Sequence, residues 1–204
     1  NDEITREIKS SNYNNLALAH VELKDYKKSE KYYFLALNQS NNSLSKLIFY
    51  NNIANNFLDQ KNYQSAKTYY KKALKTQDSL SYARALNNWG RCLYLENKNT
   101  KVLPYFQKAL LIRTILKDYW GLNSSYGTLA DYYKEINPLK SIFYAKKMYE
   151  VALKIENPDD RLEALEKLIA LEKSENSKKY FFEYQKLNDS LQTARAKARN
   201  QFAL

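Results

Sequence analysis

The chain has 204 residues, of which 44% are hydrophobic and only 3 are Gly and 3 are Pro. This apolar content is enough for a folded core and excludes a disordered tail. Because β and α/β proteins use more Gly and Pro in turns and phosphate loops, the composition predicts an all-helical chain. The formal net charge of +11 would attract nucleic acid, anionic lipid or acidic peptides. Its basic residues are dispersed, however, which favours solvated helix faces over a nucleic-acid partner.

Four segments of the chain repeat one pattern of large and small apolar residues. In the first segment Tyr13 and Ala17 are followed by Tyr33 and Ala36. The small residue returns in every segment, as Ala17, Ala54, Gly90 and Ala130, at intervals of 37, 36 and 40 residues. A small residue lets two helices approach closely, and a large one fills the groove between neighbouring pairs. The pattern therefore predicts a row of helical hairpins.

Polar segments and prolines mark where the predicted helices begin and end. Asn137-Pro138 and Asn157-Pro158 each predict a helix start, because Asn caps the first turn and Pro fits the first helical position. A fifth, less regular hairpin follows the four aligned segments. The predicted hairpins span about 3–39, 43–76, 79–116, 119–155 and 158–189, which together form a repeat array of 1–189. Residues 190–204 are predicted to continue as a charged helix.

The repeat resembles the tetratricopeptide unit, which has 34 residues. The match runs from Tyr13 to about Leu187. The resemblance implies a right-handed superhelical solenoid of about five hairpins that binds a protein or peptide. The Gly-Asp of the consensus hairpin turn is replaced here by Lys24-Asp25 and Lys61-Asn62. This departure affects the expected curvature but not the expected architecture.

In tetratricopeptide proteins the first helices of successive hairpins line a concave groove that holds extended peptides or helices. Transferring that groove by repeat position assigns to it the polar residues Asn14, Asn15, Asn51, Asn52, Asn55, Arg84, Asn87, Asn88, Arg91 and Asp131, with Leu18 and Leu58 beside them. An amide both donates and accepts, so the recurring asparagines would pair with a peptide backbone. Arg84 and Arg91 would bind a carboxylate. The alternative is that these asparagines only reflect an Asn-rich composition.

Few residues in the chain suit catalysis or metal binding. His20 is the only histidine, and Gly90, Gly121 and Gly127 do not form a phosphate loop. Cys92 is the only cysteine, which excludes an intrachain disulfide. We expect His20 to pack inside a hairpin and Cys92 to be an inert thiol. No enzyme activity, metal or cofactor is expected in this segment.

The style of the repeats and the segment after them carry a narrower resemblance. The Tyr- and Asn-rich units, followed by Tyr184–Leu191 and the run to Phe202, are similar to N-terminal sensor regions of Bacteroidetes signalling proteins. This implies the ligand-sensing region of a bacterial two-component protein, located outside the cytoplasmic membrane. The terminal helix would then lead to a membrane span and a kinase or DNA-binding output domain. A chain that lacks an initial Met and ends without a helix stop fits this expectation.

Other functions and partners stay open on the sequence alone. A free-standing scaffold or assembly factor, in the cytoplasm, is the main alternative. A nucleic-acid-binding repeat protein is the third hypothesis, although no nucleic acid is expected as partner. No stretch approaches the roughly 20 apolar residues that a membrane span needs. A homodimer through the C-terminal helix is a further partner considered.

Overall fold

The computed structural model describes residues 2–172 and 175–201, and within these ranges the chain forms ten helices and no strand. The helices are α1 (Asp2–Glu22), α2 (Tyr26–Gln39), α3 (Ser43–Asp59), α4 (Tyr63–Ala73), α5 (Ser79–Glu96), α6 (Leu103–Ile115), α7 (Tyr119–Tyr133), α8 (Pro138–Lys154), α9 (Pro158–Leu171) and α10 (Glu175–Gln201). The predicted all-α fold is confirmed.

Most helices begin at an Asp or Asn whose side chain accepts a hydrogen bond from a backbone N–H in the first turn. These capping residues are Asp25, Asn42, Asn62, Asp78, Asp118, Asn137 and Asn157. The carboxylate or amide oxygen satisfies a donor that has no partner within the helix. Pro138 and Pro158 directly follow their caps. The two helix starts predicted from Asn-Pro are therefore confirmed.

Four of these caps follow a residue in the left-handed backbone region. Lys24, Lys61, Lys117 and Glu156 have φ values of 57°, 58°, 53° and 54°. This conformation reverses the chain in a single residue and is ordinarily adopted by Gly, because a Cβ atom makes it strained. The substitution of Lys24 and Lys61 for the consensus Gly thus keeps the turn and adds local strain.

The chain divides into two compact units, here called unit 1 (Asn1–Ile112) and unit 2 (Arg113–Leu204). In unit 1 the helices α1 and α2 pack as a hairpin, as do α3 and α4. One cluster of the core joins Ala17 and Tyr33 to Ile53 of the next hairpin. The repeated large and small residues thus form the buried contacts of unit 1.

Position 90 requires a glycine for steric reasons. A Cβ atom on Gly90 would lie 2.7 Å from a ring carbon of Phe106 and 3.2 Å from Cβ of Tyr105. Helix α5 can therefore approach α6 this closely only because residue 90 has no side chain. Ala17, Ala54 and Ala130 are at most 1% exposed, and Gly90 is buried. The predicted role of the small positions in close helix packing is confirmed.

In unit 2 the helices α7 to α10 pack in sequence, each against the next. Ala130, Ala145 and Leu168 form a buried cluster at their centre. Helix α10 continues without a break through Asp189 and Ser190. The predicted boundary at residue 190 therefore falls inside one helix, and residues 202–204 lie outside the described part of the chain. The division into an array and a following segment stays a prediction.

Candidate functional site

The first helices α1, α3 and α5 present a common surface in unit 1, here called the first-helix face. Nine of the ten polar residues predicted for the groove lie on these three helices, and Asp131 lies on α7 in unit 2. Helices α3 and α5 contact each other directly. The structure thus brings the predicted asparagines and arginines of three repeats into one unit.

Two asparagine pairs connect the first helices of successive repeats. Asn52 Nδ2 donates to Asn14 Oδ1 at 2.9 Å, which joins α3 to α1. Asn88 Nδ2 donates to Asn51 Oδ1 at 3.2 Å, which joins α5 to α3. Each bond uses the NH₂ group of one amide and the carbonyl oxygen of the other. Asn14 therefore keeps N–H donors and Asn52 keeps a carbonyl acceptor for another partner.

Burial separates the asparagines into two groups. Asn51, Asn87 and Asn88 are only 3%, 0% and 8% exposed, so packing between the helices accounts for them. Asn14, Asn52 and Asn55 are half-buried, and Asn15 is exposed. The assignment of the whole set to ligand binding stays a prediction, and the accessible members are those that a ligand would reach first.

Asn55 is oriented by a buried tyrosine from the second helix of its own hairpin. The Tyr70 hydroxyl donates to Asn55 Oδ1 at 2.5 Å. Burial raises the pKa of Tyr70, so this hydroxyl keeps its proton and remains the donor. The bond fixes the amide so that its N–H groups are left for other acceptors. Sequence reasoning missed Tyr70, because its repeat position predicts a packing residue only.

Charged residues flank the amides of the first-helix face. Arg84 and Arg91 are both exposed and lie seven residues apart on α5, which places them on one side of that helix. Neither forms an ion pair within the described ranges. At the end of α3, partial desolvation raises the pKa of Asp59, Arg91 lowers it and Glu22 raises it, with a net increase. The face therefore holds available guanidinium groups beside a small acidic region.

Of the two leucines predicted beside the groove, one is placed there and one is not. Leu18 is 43% exposed and offers an apolar contact on α1. Leu58 is 5% exposed and packs against Ala54, Ala66 and Tyr70. The prediction that Leu58 lines the groove is wrong. Its position in the helix turns it toward α4, and the apolar side chain is stabilised by burial there.

In unit 2 the predicted residue Asp131 forms part of a charged cleft. Lys167 Nζ lies 2.7 Å from Asp131 Oδ1 and 3.8 Å from Glu163 Oε1. A cavity of about 220 Å³ opens here, lined by Ala130, Asp131, Lys134, Ser141, Glu166, Lys167, Ala170 and Leu171. Sequence reasoning missed Lys167 and Glu166, because the fifth repeat is too irregular to align residue by residue.

Cys92 and His20, the only cysteine and the only histidine of the chain, both pack against other side chains. Cys92 is fully buried among Ala54, Leu58 and Tyr70, and burial raises the pKa of its thiol to about 11. A thiol with this pKa is almost fully protonated near neutral pH. The predicted burial of Cys92 is confirmed, and its inertness stays a prediction. His20 is half-buried and stacks on Tyr32 with ring centroids 5.3 Å apart.

Within residues 2–172 and 175–201, no group of three or more His, Cys, Asp or Glu side chains is arranged to hold a metal ion. In the same ranges, no helix combines the length and the apolar character required to cross a bilayer.

Residues 9–79 match the family model described as tetratricopeptide repeat. No curated protein matches the chain. Among solved structures, BtubC from P. vanneervenii is 17% identical with a TM-score of 0.66, over 96% of this chain and 83% of that one. Aspartyl phosphate phosphatase F from Bacillus subtilis is 20% identical with a TM-score of 0.71, over 95% of this chain and 52% of that one.

A third similar structure is a signal transduction ATPase with numerous domains that carries a tetratricopeptide repeat sensor, from Pyrococcus horikoshii. It is 22% identical with a TM-score of 0.65, over 91% of this chain and 31% of that one. The chain thus spans about half of the phosphatase and about a third of the ATPase. At these identities the likeness establishes the fold alone.

Proposed function

We propose that this chain, which carries tetratricopeptide repeats, is a protein- or peptide-binding module whose first-helix face in unit 1 holds an extended peptide. The proposal rests on three asparagine side chains, each of which uses only one of its polar groups in a hydrogen bond within the protein. Asn14 of α1 and Asn55 of α3 keep N–H donors, and Asn52 of α3 keeps a carbonyl acceptor. A peptide backbone presents alternating acceptors and donors, so it complements this set without regard to its side chains.

The arginines of α5 would add selectivity to the backbone contacts. Arg84 and Arg91 are exposed and form no ion pair in the described part of the chain. A guanidinium group binds a carboxylate through two parallel N–H bonds, which are stronger than neutral hydrogen bonds. Acidic side chains spaced along an extended peptide are therefore the preferred ligands. Leu18 supplies an apolar contact at the α1 end of the face.

The proposal is tested by selecting peptides from a random library on the full chain and measuring their affinity by calorimetry. The double variant Arg84→Gln/Arg91→Gln is expected to weaken binding about tenfold or more, because charge-assisted hydrogen bonds contribute roughly 1.5–3 kcal/mol each. The control Lys178→Gln/Lys179→Gln removes two charges from exposed residues near the start of α10, which does not belong to the first-helix face. Equal losses in both variants, or none in either, would argue against a ligand on the first-helix face.

The finer proposal is that the module is the ligand-sensing region of a bacterial two-component protein, outside the cytoplasmic membrane. Support comes from the sensor role of the repeats in the P. horikoshii protein and from the unbroken helix α10. A ligand that binds two shapes of the repeats with different affinity would bias them, and a continuous helix would transmit the bias. A free-standing scaffold or assembly factor is the alternative.

A helix-breaking substitution separates these two roles. Ala196→Pro lies in the exposed last part of α10 and removes a helical hydrogen bond. In the full-length protein this variant should keep peptide affinity and lose the signalling response. An intact response would sink the sensor proposal while leaving peptide binding untouched. A reporter enzyme active only outside the cytoplasm, fused to the full-length protein, tests the location.

A further inference from the structure

The net positive charge of unit 1 is concentrated in the second helices of its hairpins and the turns before them. The segments 24–39, 61–75 and 97–112 contain α2, α4, the part of α6 that lies in unit 1, and the turns before these helices. They hold twelve lysines against two acids, Asp25 and Glu30. The remaining segments of unit 1 hold five basic and seven acidic residues. Eleven of the twelve lysines are exposed. The positive excess of unit 1 is therefore presented on a surface other than the first-helix face.

Several of these lysines are free of competing carboxylates. Lys67 is paired with Glu96 at 2.7 Å, and Lys28 with Asp25 at 3.0 Å. By contrast Lys27, Lys31, Lys71 and Lys75 are exposed and form no ion pair in the described ranges. We call these four residues the lysine face. On α2, Lys27 and Lys31 lie one turn apart. Lys71 lies in the last turn of α4, and Lys75 lies in the turn that follows this helix.

Aromatic side chains join the two parts of the lysine face. Phe34 of α2 packs against Tyr69 of α4 with ring centroids 6.2 Å apart, so the second helices are neighbours. Lys72 Nζ lies over the Tyr69 ring at 4.8 Å from its centroid. Phe34 itself is 38% exposed. The helices α2 and α4, which carry Lys27, Lys31 and Lys71, thus also carry an accessible aromatic ring.

We propose that the lysine face of unit 1 docks on an anionic lipid surface. All twelve basic residues of the second-helix segments are lysines and none is arginine. Arginine binds phosphates and base edges through two parallel bonds from a planar fork, which lysine lacks, so an all-lysine surface favours diffuse charge attraction over sequence-specific readout of nucleic acid. Diffuse attraction to anionic headgroups needs only positive charge near the membrane surface, and an exposed Phe ring adds an apolar contact at the boundary between headgroups and acyl chains. The proposal is independent of the peptide ligand.

The test is co-sedimentation of the full chain with vesicles of phosphatidylcholine containing about one third phosphatidylglycerol. The variant Lys27→Gln/Lys31→Gln/Lys71→Gln/Lys75→Gln should lower the partition coefficient at least about tenfold, because each lysine near such a surface contributes roughly 1 kcal/mol. Raising the salt from about 0.05 to 0.3 M should weaken wild-type binding, because the Debye length shortens.

The matched control is Lys178→Gln/Lys179→Gln/Lys186→Gln/Lys197→Gln on α10. These four lysines are also exposed, and the control lowers the formal charge by the same amount. Retained vesicle binding in the control, together with loss in the lysine-face variant, supports the proposal. Equal losses in both variants would reduce the effect to net charge and overturn it. Binding to a DNA duplex without binding to the vesicles would overturn it in favour of nucleic acid.

Discussion

The two units use the same hairpins but join their first helices with different chemistry. In unit 1 neutral amides connect neighbouring repeats, as in the bond from Asn88 to Asn51. In unit 2 an ion pair connects α9 to α7, between Lys167 and Asp131. The small positions, such as Ala54 and Ala130, stay buried in both units. Residue size is thus retained where helices approach closely, while the polar positions between repeats change freely.

Unit 2 also contains a buried charge. Arg113 is 3% exposed, and its Nη1 donates to the Gly121 carbonyl at 2.8 Å and to Ser125 Oγ at 2.7 Å. Its Nε lies 3.9 Å from the Asp118 carboxylate. A Cβ atom on Gly121 would lie 2.6 Å from Arg113 Nε, so the glycine makes room for the guanidinium group. Unit 2 therefore depends on a charged group in its interior.

Replacing this charge is expected to give the largest effect. Arg113→Met should lower the free energy of unfolding by about 3 kcal/mol, because it leaves the buried Ser125 hydroxyl without its guanidinium donor and removes the positive charge beside Asp118. Urea denaturation measures the loss, and hydrogen exchange by mass spectrometry should show faster exchange in peptides of unit 2. The control Arg195→Met breaks only the exposed ion pair with Asp159 and should change stability by less than about 1 kcal/mol. Similar losses in both variants would show that burial does not matter.

Two glycines at the centres of first helices compare close packing in the two units. Gly90→Ala in unit 1 places a Cβ atom against the Phe106 ring and should cost about 2 kcal/mol. Gly127→Ala in unit 2 meets Met148 Sδ at 3.2 Å and Lys167 Cε at 3.7 Å, both on flexible side chains. Alanine also has about 1 kcal/mol better helix propensity than glycine, so this variant should be neutral or stabilised. Thermal denaturation of both variants tests the difference, and a stable Gly90→Ala protein would contradict it.

The connecting pairs themselves should differ in their response to salt. A double-mutant cycle on Asn51 and Asn88 should give a coupling of about 1 kcal/mol that is independent of ionic strength, because the bond is neutral and buried. A cycle on Asp131 and Lys167 should give about 0.5 kcal/mol at low salt and less at high salt, because Asp131 is exposed. Equal salt dependence in both cycles would remove the distinction between the two units.

The helical fold could be predicted from the sequence because its cause is local and periodic. Ala17, Ala54, Gly90 and Ala130 recur at one repeat position, and a buried small residue has only one structural meaning there. The candidate site was less predictable. Repeat position places Asn51 and Asn52 on the same helix, but which of them is buried depends on the neighbouring helix.

The hydrogen bond between Asn14 and Asn52 could not be predicted from the sequence either. It joins residues 38 positions apart whose sequence spacing encodes no contact. The residues of the fifth repeat were harder still to assign, since its apolar pattern does not align with that of the first four repeats and so gives no repeat position for Glu166 and Lys167. Side-chain contacts between repeats are set by how the helices pack, and one chain alone does not record them.

The left-handed turns are expected to give the smallest effect, with the opposite sign. Lys61→Gly in unit 1 and Lys117→Gly in unit 2 relieve a strain of roughly 1–2 kcal/mol, which the greater freedom of glycine in the unfolded chain partly offsets. Each variant should therefore gain about 0.5 kcal/mol in the free energy of unfolding. The control Lys71→Gly lies inside a helix and should instead lose about 1 kcal/mol. Because the two turns have φ values of 58° and 53°, equal gains are expected in both units. A gain in only one unit would show that strain at the other turn is balanced by contacts of its lysine side chain.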